Sequence, residues 1–176
     1  MFKVSQVINN FFRNIRYSTY IKLINKKKKI SLSPLENNPL TTLMNKYGSD
    51  KGNSNNKHNY TKFYDSLFSN IKNKKLNLME IGVCRGASMR MWSYAMSSGL
   101  IHGLDVDERC KNLCQDLKNV DIFISDVKSP AHLDAKLLNN YEVIIDDGSH
   151  LIHDVYIAFD FFWDRLAKGG AYIIED

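Results

Sequence analysis

The second half of the chain alternates short apolar runs with amphipathic segments. The runs are rich in Val, Ile and Leu and are typical of buried parallel strands, which we predict at 76–81, 100–104 and 120–124 and within 141–150 and 170–176. Apolar residues at helical spacing predict helices between them, at 87–97, through Leu113 and Leu117, at 131–138 and at 151–166, the last one stopped by Gly169 and Gly170. This alternation predicts an α/β fold, a doubly wound and mainly parallel Rossmann-like sheet of about five strands.

Two further helices are predicted ahead of the first strand. Leu40, Leu43, Met44 and Tyr47 share one helical face, and Gly48 follows them as a C-terminal stop. The polar stretch 48–59 is typical of a flexible surface loop. An amphipathic helix is then predicted over 60–71, so the domain starts with a pair of N-terminal helices.

The last two predicted strands both end in carboxylates. A crossover of this length sets parallel strands side by side or nearly so, so Asp146, Asp147, Glu175 and Asp176 should converge at one edge of the sheet. These acids would repel each other unless a cation lay among them, and a hard divalent cation such as Mg²⁺ is the natural candidate. His150 lies at the start of the next helix, and histidine is a residue type that suits a general base near neutral pH.

A structural explanation is available for each part of this pattern. Asp147 or Ser149 could cap the helix that begins near Leu151. A single histidine near a helix start is also more often a capping or surface residue than a base. Carboxylates at the ends of both strands, taken together, favour a functional site over two separate helix caps.

Charge is distributed unevenly along the 176 residues. The first 35 hold eight of the 24 lysines and arginines and no acid, which leaves 16 basic against 19 acidic residues in the remainder. We therefore divide the chain into a basic amphipathic leader and linker at 1–38 and a single domain at 39–176. Because the domain itself is mildly acidic, we expect it to bind no nucleic acid.

The leader and the cysteines bear on location. The leader's apolar residues share one helical face, so we expect a helix packed on the domain or peripherally on a membrane, with an organellar transit peptide as second choice. No apolar run approaches the length of a membrane span. The three cysteines lack a zinc-like pairing and fit reduced thiols. The expected location is the cytoplasm, with an organelle as the alternative.

The turn after the first strand has the features of a nucleotide site. In doubly wound sheets, ligands bind beyond the carboxyl ends of the strands, next to the switch in strand order. Gly82 permits close backbone approach, and Gly86 opens the following helix. Asp105, after the second strand, is placed to bind ribose hydroxyls, and Asp126, after the third, to meet an adenine amino group.

The same turn favours one cofactor over another. A dinucleotide fingerprint reads G-x-G-x-x-G, but Cys84 stands where the second glycine belongs, so NAD fits poorly. An acid two residues before the first glycine, Glu80, suits a cationic ligand with an amino-acid tail and points to S-adenosylmethionine. Two glycines alone are a weak signal, because Gly82 and Gly86 could serve only strand-to-helix geometry.

At this point the sequence resembles a known family. It is similar to the class I S-adenosylmethionine-dependent methyltransferases, in particular the Mg²⁺-dependent O-methyltransferases of macrolide and other glycosylated natural products. The resemblance extends from about Lys46 to the end of the sequence. Its motifs are Lys46–Gly52, His58–Thr61, Met79–Val83, Ser88–Trp92, Gly103–Asp107, Ile145–His150 and Ile174–Asp176.

The resemblance implies an activity and a set of roles. It implies O-methylation of a sugar or glycosylated small molecule, with Mg²⁺ held by Asp147, Glu175 and Asp176 and with His150 as the general base. It further implies that the cofactor site is lined by Glu80, Gly82, Asp105 and Asp126 and closed by a loop through Asp50, His58 and Tyr60. The partner is then a small glycosylated acceptor, and a homo-oligomer is left open.

Two departures from the family leave alternatives open. Cys84 and Arg85 occupy a turn that is often richer in glycine, and the family continues through two further strands after the position of Asp176. We therefore expect this chain to lack a sheet edge and part of the substrate wall. The alternatives are a non-catalytic methyltransferase-like remnant and, less favoured, a nicotinamide-dependent oxidoreductase on a similar sheet.

Overall fold

The computed structural model describes residues 39–52, 58, 60–68 and 75–175. The predicted leader helix and Asp176 lie outside the described residues. The helices are α1 (Pro39–Tyr47), α2 (Thr61–Phe68), α3 (Ala87–Ala95) and α4 (Ile152–Phe162). The strands are β1 (Leu78–Ile81), β2 (Ile101–Asp105), β3 (Val120–Ile124), β4 (Tyr141–Asp146) and β5 (Leu166–Ile174).

The five strands form one parallel sheet in the order β3-β2-β1-β4-β5. The order reverses at the central strand, because β2 and β3 extend to one side of β1 and β4 and β5 to the other. Glu80 pairs with Ile145 across β1 and β4, and Asp146 pairs with Ile174 across β4 and β5. This arrangement confirms the predicted doubly wound sheet and places its switch point beside Gly82.

Side chains alternate between the two faces of the sheet and pack into two separate cores. In β1, Leu78 packs with α1, α2 and α3, whereas Met79 packs on the opposite face with Ile144 and Phe162. This period of two decides where the acidic residues point. Glu80 follows the parity of Leu78 and therefore faces the buried α1–α3 side.

The predicted helices after β2 and β3 are wrong. A 3₁₀ turn at Glu108–Asn112 follows β2, and another at Pro130–Leu133 follows β3, with turns in place of α-helix around them. Asp107 caps the first of these turns, since its side chain accepts a hydrogen bond from the Arg109 amide. Leu113 and Leu117 still pack on the core, because successive tight turns bring residues four apart to the same side as a helix does.

The predicted glycine stop before the last strand is also wrong. The chain passes from α4 through a 3₁₀ turn at Trp163–Arg165 directly into β5. Gly169 and Gly170 lie inside this strand, where the pairing with β4 shifts register. Gly169 has a φ of 82°, which accommodates the irregularity. Within the described residues, no helix has both the length and the apolar composition needed to cross a bilayer.

Candidate cofactor cavity and acid cluster

A cavity of about 450 Å³ opens at the carboxyl ends of the central strands. Gly82 forms its floor with a φ of 92°, and a Cβ added there would lie 2.0 Å from the backbone oxygen of Asp147. The strand ends can approach each other this closely only with glycine at this position. Three residues predicted for the cofactor site line the cavity: Gly82, Asp105 and Asp126. Asp147, predicted as a metal ligand, lines it as well.

Asp105 organises the turn that borders the cavity. Its Oδ2 accepts hydrogen bonds from the amides of Val83 at 2.8 Å and Cys84 at 3.0 Å, and its Oδ1 accepts one from the Asp107 amide at 2.9 Å. Burial alone would raise the pKa of Asp105, but these backbone hydrogen bonds outweigh it and lower the pKa below its ordinary value. Asp105 is therefore a fixed anion at the cavity wall, in the position predicted for a ribose contact.

Asp126 lines the same cavity, beyond the end of β3. Its Oδ1 accepts a hydrogen bond from the Lys128 amide at 2.9 Å, and its Oδ2 lies 3.5 Å from the Lys128 ammonium. Both residues line the cavity, so this acid meets a ligand as part of a mixed-charge surface. The predicted adenine contact stays a prediction.

Four of the predicted cofactor residues do not line this cavity: Glu80, Gly86, Asp50 and Tyr60. Gly86 precedes α3 with a φ of 74° and packs near Cys114. Glu80 is fully buried, and its Oε2 accepts a hydrogen bond from the Trp92 indole at 3.0 Å. Burial raises the pKa of Glu80 to about 7. The structure thus places Glu80 behind the cavity, away from any ligand within it.

Three carboxylates meet on the α1–α3 face, and a lysine lies among them. The Lys51 ammonium hydrogen-bonds Asp147, lies 2.8 Å from Glu175 Oε2 and lies 3.4 Å from Glu80 Oε1. We call the three carboxylates, Glu80, Asp147 and Glu175, the acid cluster. Only 1% of the Lys51 side chain is exposed, although sequence analysis assigned it to a flexible loop. The cation required by the converging acids is, in this structure, a lysine.

The electrostatics of the acid cluster are strongly coupled. Burial alone would lower the pKa of Lys51, but attraction by Glu80, Glu175 and Asp147 raises it above its ordinary value. Burial raises the pKa of Glu175, and the Lys51 ammonium opposes this shift. The Tyr64 hydroxyl donates to Glu175 Oε1, and burial with the nearby Glu175 charge raises the pKa of Tyr64. Lys51 and Tyr64 therefore engage both oxygens of Glu175.

The donor set suits a divalent cation in type but is engaged as it stands. Among the residues that the structure describes, no group of three or more His, Cys, Asp or Glu side chains is arranged to hold a metal ion. Two of the three predicted ligands, Asp147 and Glu175, are paired with Lys51, and the third, Asp176, lies outside the described residues. Carboxylate oxygens that already converge on a cation are nevertheless the chemistry that Mg²⁺ requires.

His150 lies at the mouth of the acid cluster and has a left-handed φ of 58°. Its Nδ1 is 3.3 Å from the backbone oxygen of Glu175, and its Nε2 is 3.9 Å from Asp147 Oδ1. A carbonyl can only accept, so Nδ1 is the donor in this contact, and the tautomer with this proton has its lone pair on Nε2. Half of the His150 side chain is exposed.

Ser149, the alternative cap, does contact the next helix. Its hydroxyl accepts a hydrogen bond from the Leu151 amide at 3.2 Å and donates one to Asp154 at 2.8 Å. Asp147 makes no such cap and instead contacts Lys51. Neither residue is the N-cap, because Leu151 holds that position and no side chain that the structure describes caps the helix. Ser149 instead contacts the start of the helix through Leu151 and Asp154, while Asp147 belongs to the acid cluster.

Asp146 differs from Asp147 because strand parity turns it to the other face. It is buried, and its Oδ2 has no hydrogen-bond partner. Burial raises the pKa of Asp146 to about 6 from 3.8. The unfolded chain therefore ionises first, and the cost of burying the charge appears as the pH rises from about 4 to about 6. Asp146→Asn should be about 2–3 kcal/mol more stable than wild type above pH 6 and equal to it below pH 4.

Urea unfolding at pH 4 and pH 8 measures this difference. Glu108→Gln is the control, because Glu108 is exposed and its substitution removes the same charge. A stability gain for Asp146→Asn that is equal at both pH values would show that the buried charge is not its cause.

Comparison with known proteins gives a consistent result. No protein-family model matches the chain. It is 32% identical over 146 residues to the 8-demethyl-8-alpha-L-rhamnosyl tetracenomycin-C 2'-O-methyltransferase of Streptomyces olivaceus, covering 78% of this chain and 37% of that protein. It is 31% identical over 128 residues to the demethylmacrocin O-methyltransferase of Streptomyces fradiae, covering 68% and 32%. The chain thus spans about a third of the length of the curated relatives it matches.

A solved structure matches the fold over the same share of the chain. This is the MycE methyltransferase from the mycinamycin biosynthetic pathway, in complex with Mg, SAH and mycinamycin VI. The TM-score is 0.69 at 28% identity, covering 78% of this chain and 38% of the other.

The sheet order, the switch-point cavity and these matches define a class I methyltransferase fold. Over the matched region, the chain is a homologue of the macrolide sugar O-methyltransferases. The resemblance identified from the sequence is thereby confirmed.

Proposed function

We propose that this chain carries the cofactor cavity and the acid cluster of an S-adenosylmethionine-dependent, Mg²⁺-assisted O-methyltransferase. Its acceptor is a hydroxyl of a sugar or of a glycosylated small molecule. One observation carries the proposal: Asp147 belongs both to the wall of the cofactor cavity and to the acid cluster, with His150 three residues beyond it. In this proposal, the methyl donor, the cation and the base all act next to Asp147.

Gly82, Asp105 and His150 each have a defined role in the proposed reaction. Gly82 and Asp105 shape the wall against which the nucleoside part of the cofactor binds. His150, with its proton on Nδ1 directed at the Glu175 carbonyl, accepts the proton of the acceptor hydroxyl on Nε2. The resulting oxygen attacks the methyl carbon as the carbon–sulfur bond breaks, and the thioether leaves with the electron pair. Asp147 borders both the cavity and the acid cluster, and this proximity supplies the alignment.

The metal would be held by Asp147 and Glu175 together with Asp176. When bound, Mg²⁺ supplies Lewis-acid polarisation of the acceptor hydroxyl. The relative's complex with Mg and SAH supports this assignment, and so does the convergence of Asp147 and Glu175 on a cation in this chain.

Titration calorimetry with S-adenosylmethionine, with and without Mg²⁺, tests the cofactor. We expect saturable binding of S-adenosylmethionine and none of NAD, because Cys84 stands where the second glycine of the dinucleotide fingerprint belongs. Glycosylated acceptors would then be screened for methyl transfer. A folded chain that binds NAD and ignores S-adenosylmethionine would reverse the assignment in favour of an oxidoreductase.

Replacing His150 tests the proposed base. His150→Ala should lower the rate of methyl transfer about 10²–10⁴-fold, the usual contribution of a positioned base, while cofactor binding is retained. His153→Ala is the matched control, since His153 is exposed on the first turn of α4. Equal rates for the two variants would remove His150 from the mechanism.

A further inference from the structure

Lys51 reaches the acid cluster from outside the sheet. Its three carboxylate partners lie within or directly after three neighbouring strands, β1, β4 and β5, and all project to the α1–α3 face. One of their oxygens, Glu80 Oε1, is buried and makes no hydrogen bond. The space between the three carboxylates therefore favours a positive charge. Lys51 supplies this charge from the end of a long flexible side chain.

The backbone around Lys51 is held independently of its ammonium. The Lys51 carbonyl accepts a hydrogen bond from the Tyr60 amide at 3.0 Å, and the Asp50 carbonyl accepts one from the His58 amide at 2.9 Å. The Ser49 amide donates to the Met44 carbonyl at the end of α1 at 2.9 Å. None of these contacts uses the Lys51 side chain. The ammonium can therefore leave the acid cluster while the segment that carries it stays in place.

The oxygens that hold Lys51 are those that the proposed metal requires. Asp147 Oδ2 and Glu175 Oε2 both contact the ammonium, and Tyr64 engages the other oxygen of Glu175. Two cations placed a few ångströms apart in a buried site repel each other strongly. The ammonium and a divalent cation therefore exclude each other from these two carboxylates.

We propose that Lys51 is an exchangeable internal counter-ion, and that a divalent cation reaches Asp147 and Glu175 only by displacing its ammonium. This rests on the proposed function, because it concerns the metal of that site. Lys51 then sets the metal affinity: it keeps the carboxylates neutralised without metal and lowers the affinity for metal by competition. The segment that follows α1 stays in place during this exchange, and only the Lys51 side chain moves.

Titration of the purified chain with Mn²⁺ alone, without cofactor or acceptor, tests the competition. Lys51→Met should bind Mn²⁺ at least about tenfold tighter than wild type, because a competing charge has been removed from a poorly screened site. Lys168→Met is the control, since it removes the same charge from an exposed position in β5 and should leave the affinity unchanged. Equal or weaker Mn²⁺ binding by Lys51→Met would overturn the proposal.

A second measurement uses the wild-type chain and so does not depend on how the variant folds. Reductive methylation, followed by peptide mass spectrometry, reports how accessible each lysine amine is. Lys51 is 1% exposed and should be protected without metal, whereas exposed Lys46 serves as the internal reference. Saturating Mn²⁺ should raise the labelling of Lys51 at least about tenfold without changing Lys46 if displacement brings the amine into water. Unchanged protection of Lys51 in Mn²⁺-loaded protein contradicts displacement.

The two proposals fail in different ways. If neither wild type nor Lys51→Met binds Mn²⁺ while S-adenosylmethionine still binds saturably, the counter-ion proposal and the metal assistance are overturned, but the cofactor assignment stands. If Mn²⁺ binds and displaces Lys51 while S-adenosylmethionine does not bind, the counter-ion proposal is supported and the methyltransferase proposal fails.

Discussion

Lys51→Met should lower the free energy of unfolding by about 3–5 kcal/mol at pH 8 in the absence of metal, the usual cost of leaving a buried charge without its partner. Methionine is an unbranched side chain only one atom shorter than lysine, so the loss is mainly one of charge. It leaves Glu80, Asp147 and Glu175 facing each other with no cation between them. Urea denaturation of the two proteins measures the difference.

A second substitution separates charge from packing in this result. In the Lys51→Met background, Glu80→Gln should recover about 1–2 kcal/mol, because one of the buried negative charges is removed. Gln can still accept the hydrogen bond that Glu80 receives from the Trp92 indole. If Glu80→Gln instead destabilises Lys51→Met further, repulsion between the buried carboxylates is not the cause of the stability loss in Lys51→Met.

Gly82→Ala should lower the free energy of unfolding by about 3 kcal/mol, combining backbone strain at a left-handed φ with steric overlap. Its Cβ would lie 2.0 Å from the Asp147 carbonyl oxygen and 2.7 Å from the carbonyl carbon. The end of β4 must therefore move, and with it the carboxylate of Asp147. We expect calorimetric binding of S-adenosylmethionine to be lost in the same variant, because Gly82 and Asp147 share the cavity wall.

Gly169→Ala isolates the close approach from the backbone strain. Gly169 has a φ of 82°, similar to that of Gly82, but nothing lies within 4 Å of its added Cβ. It should therefore cost only about 1–2 kcal/mol and leave cofactor binding unchanged. Similar losses of stability in both variants would mean that backbone strain alone explains the effect of Gly82→Ala, and that the close approach to Asp147 contributes little.

Sequence periodicity predicted the sheet well because each strand is short, apolar and buried. β3 was predicted with its observed bounds, and β1 and β2 to within two residues at each end. The errors lie where local spacing is ambiguous. Leu113 and Leu117 are four residues apart, a spacing that fits both an α-helix and successive tight turns. Gly169 and Gly170 suggested a helix stop, but tertiary pairing with β4 places them in an irregular strand.

The candidate site was predicted in part, for a similar reason. The convergence of Asp147 and Glu175 follows from parallel strands ending at one edge. Strand parity, had it been applied, would also have turned Asp146 away from them and Glu80 into the core. Lys51 could not be placed by any local pattern, because its partners lie 29 to 124 positions further along the chain. The signals were indirect: several acids at one edge require a cation, and Lys51 lies in the motif Lys46–Gly52 that the sequence shares with the family.

Lys51 and its carboxylate partners are far apart in the sequence, and this separation affects the order in which the protein folds. Lys51 and Asp147 are 96 positions apart, and Lys51 and Glu175 are 124 apart. Joining such distant segments costs chain entropy that must be offset by the surrounding sheet, so contacts of this kind form late. During synthesis, Lys51 and Glu80 leave the ribosome long before β5 does. Until β5 pairs with β4, Glu175 cannot reach Lys51, so this pairing is the step that completes the charge balance around the lysine.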